Sequence, residues 1–179
     1  MPRNVILAAS FPATADRLFD MYLDPQAHAA FTGAPVTIEP RPGTPFRAFD
    51  GMLTGTMLHV EPKRLIVQTW RSANWPAEAM DAVLTFSFWQ EGDAARIELV
   101  HVNVPDEDFA GVSQGWEKYY WKPWLAHLSE CPLDLRKVAV AHDITAVSRL
   151  ITFVEDLLYE HSHEPPQRLS TERPGKQSC

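Results

Sequence analysis

The chain has little of what usually announces a function. Cysteine is nearly absent: Cys131 and Cys179 are the two in 179 residues, too few for a disulfide framework. A bridge between them is disfavoured in a reducing cytosol, and Cys179 reads as an exposed thiol after a polar tail. No apolar run approaches the roughly 20 residues that cross a bilayer as a helix. Basic charge is in deficit, with 16 Lys and Arg against 23 Asp and Glu and a formal net charge of −7. No cluster of Lys and Arg interleaved with aromatics is present to neutralise phosphates, which argues against nucleic acid as a partner. Catalytic signatures are missing too: there is no Gly-x-Ser-x-Gly elbow, His-Glu-x-x-His, Cys-x-x-Cys, phosphate-cradling glycine loop or EF-hand loop. No cofactor and no metal is expected. His161-Ser162-His163-Glu164 could grip a metal only adventitiously, since adjacent tail residues lack a scaffold.

What is present is aromatic. From Gly115 to Trp124 five of ten residues are aromatic. Trp116, Tyr120 and Trp124 recur every four residues and share one face of a helix. Such a face either fills a core or walls a pocket.

The apolar stretch at the start, Val5-Ile6-Leu7-Ala8-Ala9, is short for a signal peptide, and Phe11-Pro12-Ala13-Thr14 follows at once. A strand leading into a helix explains it better, which places the protein in the cytoplasm. The spacing predicts a strand from Asn4 to Phe11 and a helix from Pro12 or Ala13 to about Tyr22. A short helix opens at Pro25, capped by Asp24 and closed near Gly33. Short β segments then alternate with turn signals: 36–38, 46–49, 54–60, 65–71, 82–89 and 96–104. Asp50-Gly51 and Glu91-Gly92-Asp93 lie at turns. This order predicts an antiparallel meander, not βαβ units. Asp106, Glu107 and Asp108 supply negative charge at the start of a long helix reaching about Leu128, with a kink expected at Pro123.

Three regions follow: residues 1–130 as the domain, 131–160 as an amphipathic helical extension, and 161–179 as a polar, disordered tail. In the extension Val140, Ile144, Val147, Ile151, Val154 and Leu158 recur at spacings of four and three. The seam must bury itself, either on its own domain or against a second copy in a homodimer through Ile144, Val147, Ile151, Val154 and Leu158.

An ordered set of short motifs carries a family resemblance. Phe11-Pro12-Ala13 leads to Asp24-Pro25-x-x-His28-Ala29-Ala30-Phe31-Thr32-Gly33. Phe49-Asp50-Gly51-x-x-x-Gly55, Trp70-Arg71, Trp75-Pro76, His101-Val102-Asn103-Val104-Pro105 and Gly115-Trp116 follow. In this order the chain resembles the START-like (SRPBCC) superfamily. Within it, the chain is similar to the branch named after the C-terminal domain of the activator of the heat-shock chaperone ATPase. The resemblance spans about residues 4–128. It implies an α+β helix-grip fold, a curved antiparallel sheet of about six to seven strands around a long C-terminal helix, with a cavity between. It implies no single activity, because members include carriers of apolar ligands, polyketide cyclases and co-chaperones.

Strand alternation puts Ile97, Leu99 and His101 on one face, beside Leu84, Phe86 and Phe88. For 65–71 the alternation fits either face. The candidate ligand-binding residues are Phe31, Phe46, Trp70, Trp75, Phe86, Phe88, Leu99, His101, Trp116 and Tyr120, with His101 and Tyr120 as polar groups in an apolar cavity. The alternative is that these residues simply pack. Trp75 fits a lid, a partner contact or a loop anchor. The leading expectation is a protein that binds a small, mostly apolar molecule. An interaction role with a chaperone in the stress response is the alternative. Cyclase-like or hydrolase chemistry, with His101 and Tyr120 as an acid/base pair, is third; the residues favour a role without catalysis.

Overall fold

A computed structural model describes residues 1–130. The Ile144–Leu158 seam, the division at residue 131, both cysteines and the His161–Glu164 cluster lie outside the described residues.

Among the described residues, seven strands form one antiparallel sheet: β1 (Arg3–Phe11), β2 (Val36–Thr37), β3 (Pro45–Ala48), β4 (Leu53–Glu61), β5 (Leu65–Ser72), β6 (Ala82–Glu91) and β7 (Ala94–Val104). Their spatial order is β1-β7-β6-β5-β4-β3-β2. Neighbours in chain order pair throughout, as the turn signals require, except that β1 returns to pair with β7. Two helices cross over between β1 and β2: α1 (Ala15–Leu23) and α2 (Pro25–Thr32). α1 starts after the proline because Thr14 is its cap, its hydroxyl accepting from the Arg17 N–H at 3.2 Å. Asp24 ends α1 and caps α2, its carboxylate accepting from the Gln26 and Ala27 amides at 2.8 Å. Gly33 closes α2 at φ +73°, a left-handed position that suits glycine.

Register fixes the two faces. Leu7, Leu99, Phe86, Ile66 and Val60 form one row across five strands, and all belong to the main core. Ile66, Gln68 and Trp70 therefore face the helices, which settles the facing of β5. Leu65 and Val67 instead join Val83, Leu58 and Val102 in a smaller apolar cluster on the opposite face. Full burial of side chains such as Phe86, Leu99 and Ile66 stabilises by roughly 1.5–3 kcal/mol each. One close approach sets a local rule: a Cβ at Gly55 in β4 would lie 2.0 Å from the Thr69 carbonyl oxygen of β5.

After Pro105 a 3-10 turn (Asp106–Asp108) leads into the C-terminal helix. Its first part is α3 (Phe109–Gly115), its last α4 (Lys122–Glu130), and a π segment (Trp116–Trp121) joins them. In the π segment the Lys122 N–H bonds to the Glu117 carbonyl five residues back. Pro123 follows directly, and it has no N–H to give. The ladder thus changes phase where it would lose a bond in any case. The sequence predicts a kink at Pro123; the irregularity present is this π segment, which ends just before it. Its effect is to turn Trp116, Tyr120, Trp121 and Trp124 all inward. The sheet and this helix enclose the core in a helix-grip arrangement.

Candidate functional site

Between the upper part of the helix and the sheet lies a cleft of about 430 Å³. One wall is the helix, with Asp108, Gly111, Val112, Gly115, Trp116, Tyr119 and Tyr120. The other is Trp70 and Ser72 of β5, Asn74 beyond it, and Phe49, Met52 and Leu53 around the β3–β4 turn. Phe49 and Asp50 both adopt positive φ there. Phe49 meets Tyr119 and Tyr120 edge-on, at 6.0 and 5.9 Å between centroids.

The helix wall is open because two of its residues have no side chain. Gly111 and Gly115 are one turn apart on one face. Gly115 sits at φ −60°, ψ −41°, ordinary helical geometry that any residue adopts. A Cβ there would meet nothing closer than Tyr119 Cδ2 at 3.8 Å. Backbone geometry thus makes no demand for glycine at 115, and glycine in a helix costs about 1 kcal/mol against alanine.

Of the ten residues singled out from sequence, Trp70, Trp116 and Tyr120 line the cleft. Phe31, Phe46, Phe86, Phe88 and Leu99 are buried in the core beneath it. Phe31 stacks on Trp124 with centroids 4.3 Å apart. Trp75 borders the cleft from behind: it packs on Trp70 at 5.3 Å and its indole N–H donates to Asp108 Oδ2 at 2.7 Å. Arg71 holds the same loop, donating to the carbonyls of Ala79 and Pro76 and pairing with Asp81 at 2.9 Å. Trp75 is a loop anchor in this arrangement. The cleft residues that the sequence reading missed come from the β3–β4 turn, the end of β5 and the start of the C-terminal helix, including its two glycines. The one available signal was the Gly111–Gly115 pair beside an aromatic run.

His101 is fully buried and packs on Trp70 and Trp116. Its Nδ1 accepts from the Trp116 indole N–H at 3.3 Å, which assigns the ring proton to Nε2. Burial pushes its pKa down to about 3. His28, whose Nδ1 donates to the Tyr22 carbonyl at 2.7 Å, is pushed down to about 4 by burial. Burial raises the Tyr120 and Tyr22 hydroxyls, so both stay protonated. These four buried groups are therefore uncharged near neutral pH, and Tyr120 meets Trp116, Phe31 and His28, not His101. Two donors of cleft-lining residues, Trp70 Nε1 and the Tyr120 hydroxyl, are buried without a partner among the described residues. Among the described residues no group of three or more His, Cys, Asp or Glu is placed to hold a metal. No described helix is long and apolar enough to cross a membrane.

Comparison with known proteins agrees with this architecture. A protein of Schizosaccharomyces pombe without an assigned function is 33% identical over 114 residues, 64% of this chain and 34% of the relative. The human activator of 90 kDa heat shock protein ATPase homolog 1 is 27% identical over 119 residues, 66% of this chain and 35% of the relative. The chain thus spans about a third of the length of these relatives. Among solved structures, an HSP90 activator from Plasmodium falciparum superimposes with a TM-score of 0.64 at 17% identity, covering 70% of this chain and 96% of the other. CalU16 from Micromonospora echinospora gives 0.61 at 23% identity, covering 72% and 77%. At these identities the two structures show the fold alone. The sequence model of the family described as Activator of Hsp90 ATPase homolog 1-like protein matches residues 12–129, and the chain belongs to that family.

Proposed function

We propose that the protein binds a small, mostly apolar molecule in the cleft between β5 and the C-terminal helix. The observation that carries this reading is Gly115. It holds helical geometry, forgoes the stability an alanine would give, and leaves open an aromatic-walled space of about 430 Å³. Neutral probes such as naphthalene test it. They should raise the melting temperature of the wild type, since a ligand that binds only the folded state stabilises it. Gly115→Leu should abolish that response while keeping the fold, because leucine is a better helix former than glycine. A wild type indifferent to millimolar probe, or a variant that responds equally, would defeat the reading. Native mass spectrometry of freshly purified protein adds a second readout: an extra mass that leaves on denaturation begins to name the resident molecule.

A second reading draws on the names of the relatives, which are activators of a heat shock protein ATPase. The chain matches only about a third of the human relative, and a partial match of this kind is compatible with chaperone contact without full activation. Measured turnover of a 90 kDa heat-shock ATPase, with and without this protein, decides it. Unchanged turnover and no co-elution would remove it.

A further inference from the structure

We infer that the cleft selects for positive charge: its occupant is an organic ammonium ion on an apolar body. This rests on the reading of the cleft as a binding site and adds the chemistry of the head group. Five of the lining residues are aromatic, and a cation is held by the faces of such rings. A single lining residue is charged, the carboxylate of Asp108. Among the described lining residues there is no lysine, arginine or histidine.

Asp108 is unusual in how it is used. It stands at the cap position of α3 but makes no capping bond with its side chain. Its Oδ2 accepts the Trp75 indole N–H instead, and no described cation pairs with it. Glycine at 111 gives it room, since a Cβ there would fall 2.5 Å from Asp108 Oδ1. The carboxylate is therefore held in the cleft wall by a neutral donor, with its charge uncompensated. The start of the helix carries a partial positive charge that offsets part of it. Two further carboxylates, Asp106 and Glu107, adjoin it, and Arg3 lies 3.5 Å from Asp106 at an exposed contact. The balance is negative. An anionic head group brought here would find only neutral donors, such as the Trp70 indole N–H and the Tyr120 hydroxyl, beside a carboxylate that repels it, whereas an ammonium ion would meet aromatic faces and a carboxylate together. The rim already shows the same chemistry, with the Lys118 ammonium 4.8 Å from the Tyr119 ring centroid.

Three probes that share a benzyl group and differ in charge test this: benzyltrimethylammonium, its neutral carbon isostere neopentylbenzene, and the smaller anion phenylacetate. Binding is followed by tryptophan fluorescence and calorimetry on the full chain. The ammonium probe should bind about tenfold more tightly than the neutral one, and phenylacetate most weakly. Asp108→Asn keeps an acceptor for the Trp75 indole. It should remove most of the ammonium preference, bringing the ratio of ammonium to neopentylbenzene affinity down from about tenfold to about twofold. Added salt should narrow the gap in the wild type, independently of any variant. If neopentylbenzene binds as well as the ammonium ion, the charge preference is wrong and the binding site stands. If phenylacetate binds best, the sign is wrong. If none of the three binds, the inference and the function it rests on fall together.

Discussion

Phe31 of α2 and Trp124 of α4 lie face to face, their ring centroids 4.3 Å apart and their planes 3° from parallel. His28 also stacks on Phe31, at 5.0 Å and 13°. This three-ring stack joins the crossover helices to the C-terminal helix beneath the cleft.

Phe31→Ala should destabilise by about 3–5 kcal/mol, the cost of truncating a buried aromatic. Urea unfolding measures it. A double-mutant cycle with Trp124→Leu should give a coupling of about 1 kcal/mol. Purely additive effects would show that the stack is geometry without energy.

Acid should destabilise the protein through its buried histidines. The folded-state pKa values of His28 and His101 lie near 4 and 3, both held down by burial, against about 6.5 in the unfolded chain. Between those values the unfolded state binds more protons than the folded one. Stability is therefore full above about pH 6.5 and falls as pH drops toward 4 and below. Urea midpoints between pH 7.5 and 5 should decline, and His101→Gln should flatten that decline. A slope equal to that of the wild type would remove His101 from the account.

Gly55→Ala should be among the most damaging small substitutions in the sheet. The added carbon would sit 2.0 Å from the Thr69 carbonyl oxygen, which is backbone and cannot rotate away. A loss of about 3 kcal/mol is expected. Gly115→Ala, which meets ordinary contact distances, should stabilise by about 1 kcal/mol. Thermal unfolding of the two variants side by side tests whether the two glycines differ in this way.

Trp75→Phe keeps a ring against Trp70 and removes the indole donor to Asp108. The loss of a bond to a charged acceptor should cost about 1.5–3 kcal/mol, with the larger local effect on the cleft wall. Fluorescence quenching at the cleft should become easier. Unchanged stability would make the loop independent of the helix start.

The fold was legible because its signals are local and periodic. Asp24-Pro25 and Gly33 bracket α2 as caps do. The alternation in 82–89 and 96–104 put Phe86, Leu99 and His101 on the core face without ambiguity. The cleft was less legible, for two physical reasons. Alternation says which face a side chain takes, not whether space remains above it, so it does not separate Phe46, Phe86, Phe88 and Leu99, which lie in the buried core, from the residues that line the cleft. And the cleft wall depends on missing side chains, Gly111 and Gly115, and on a turn with positive φ at Phe49, neither of which leaves an apolar pattern. The inward turn of Trp121 beside Tyr120 had no signal in a fourfold spacing, because it follows from the π segment.

The return of β1 to β7 also governs how the chain reaches this state. Val5 faces His101 and Leu7 faces Leu99, so among the described strands the first in chain order has its partner in the last. Pairings so distant in sequence incur loop-closure entropy before they yield contacts, which slows folding. Until β7 is made, β1 has no neighbour in the sheet and β6 has an open edge of the kind that invites pairing between chains. Refolding should accordingly fall in the millisecond-to-second range, and aggregation during expression should respond to substitutions in β1 and β7 before it responds to any in the cleft.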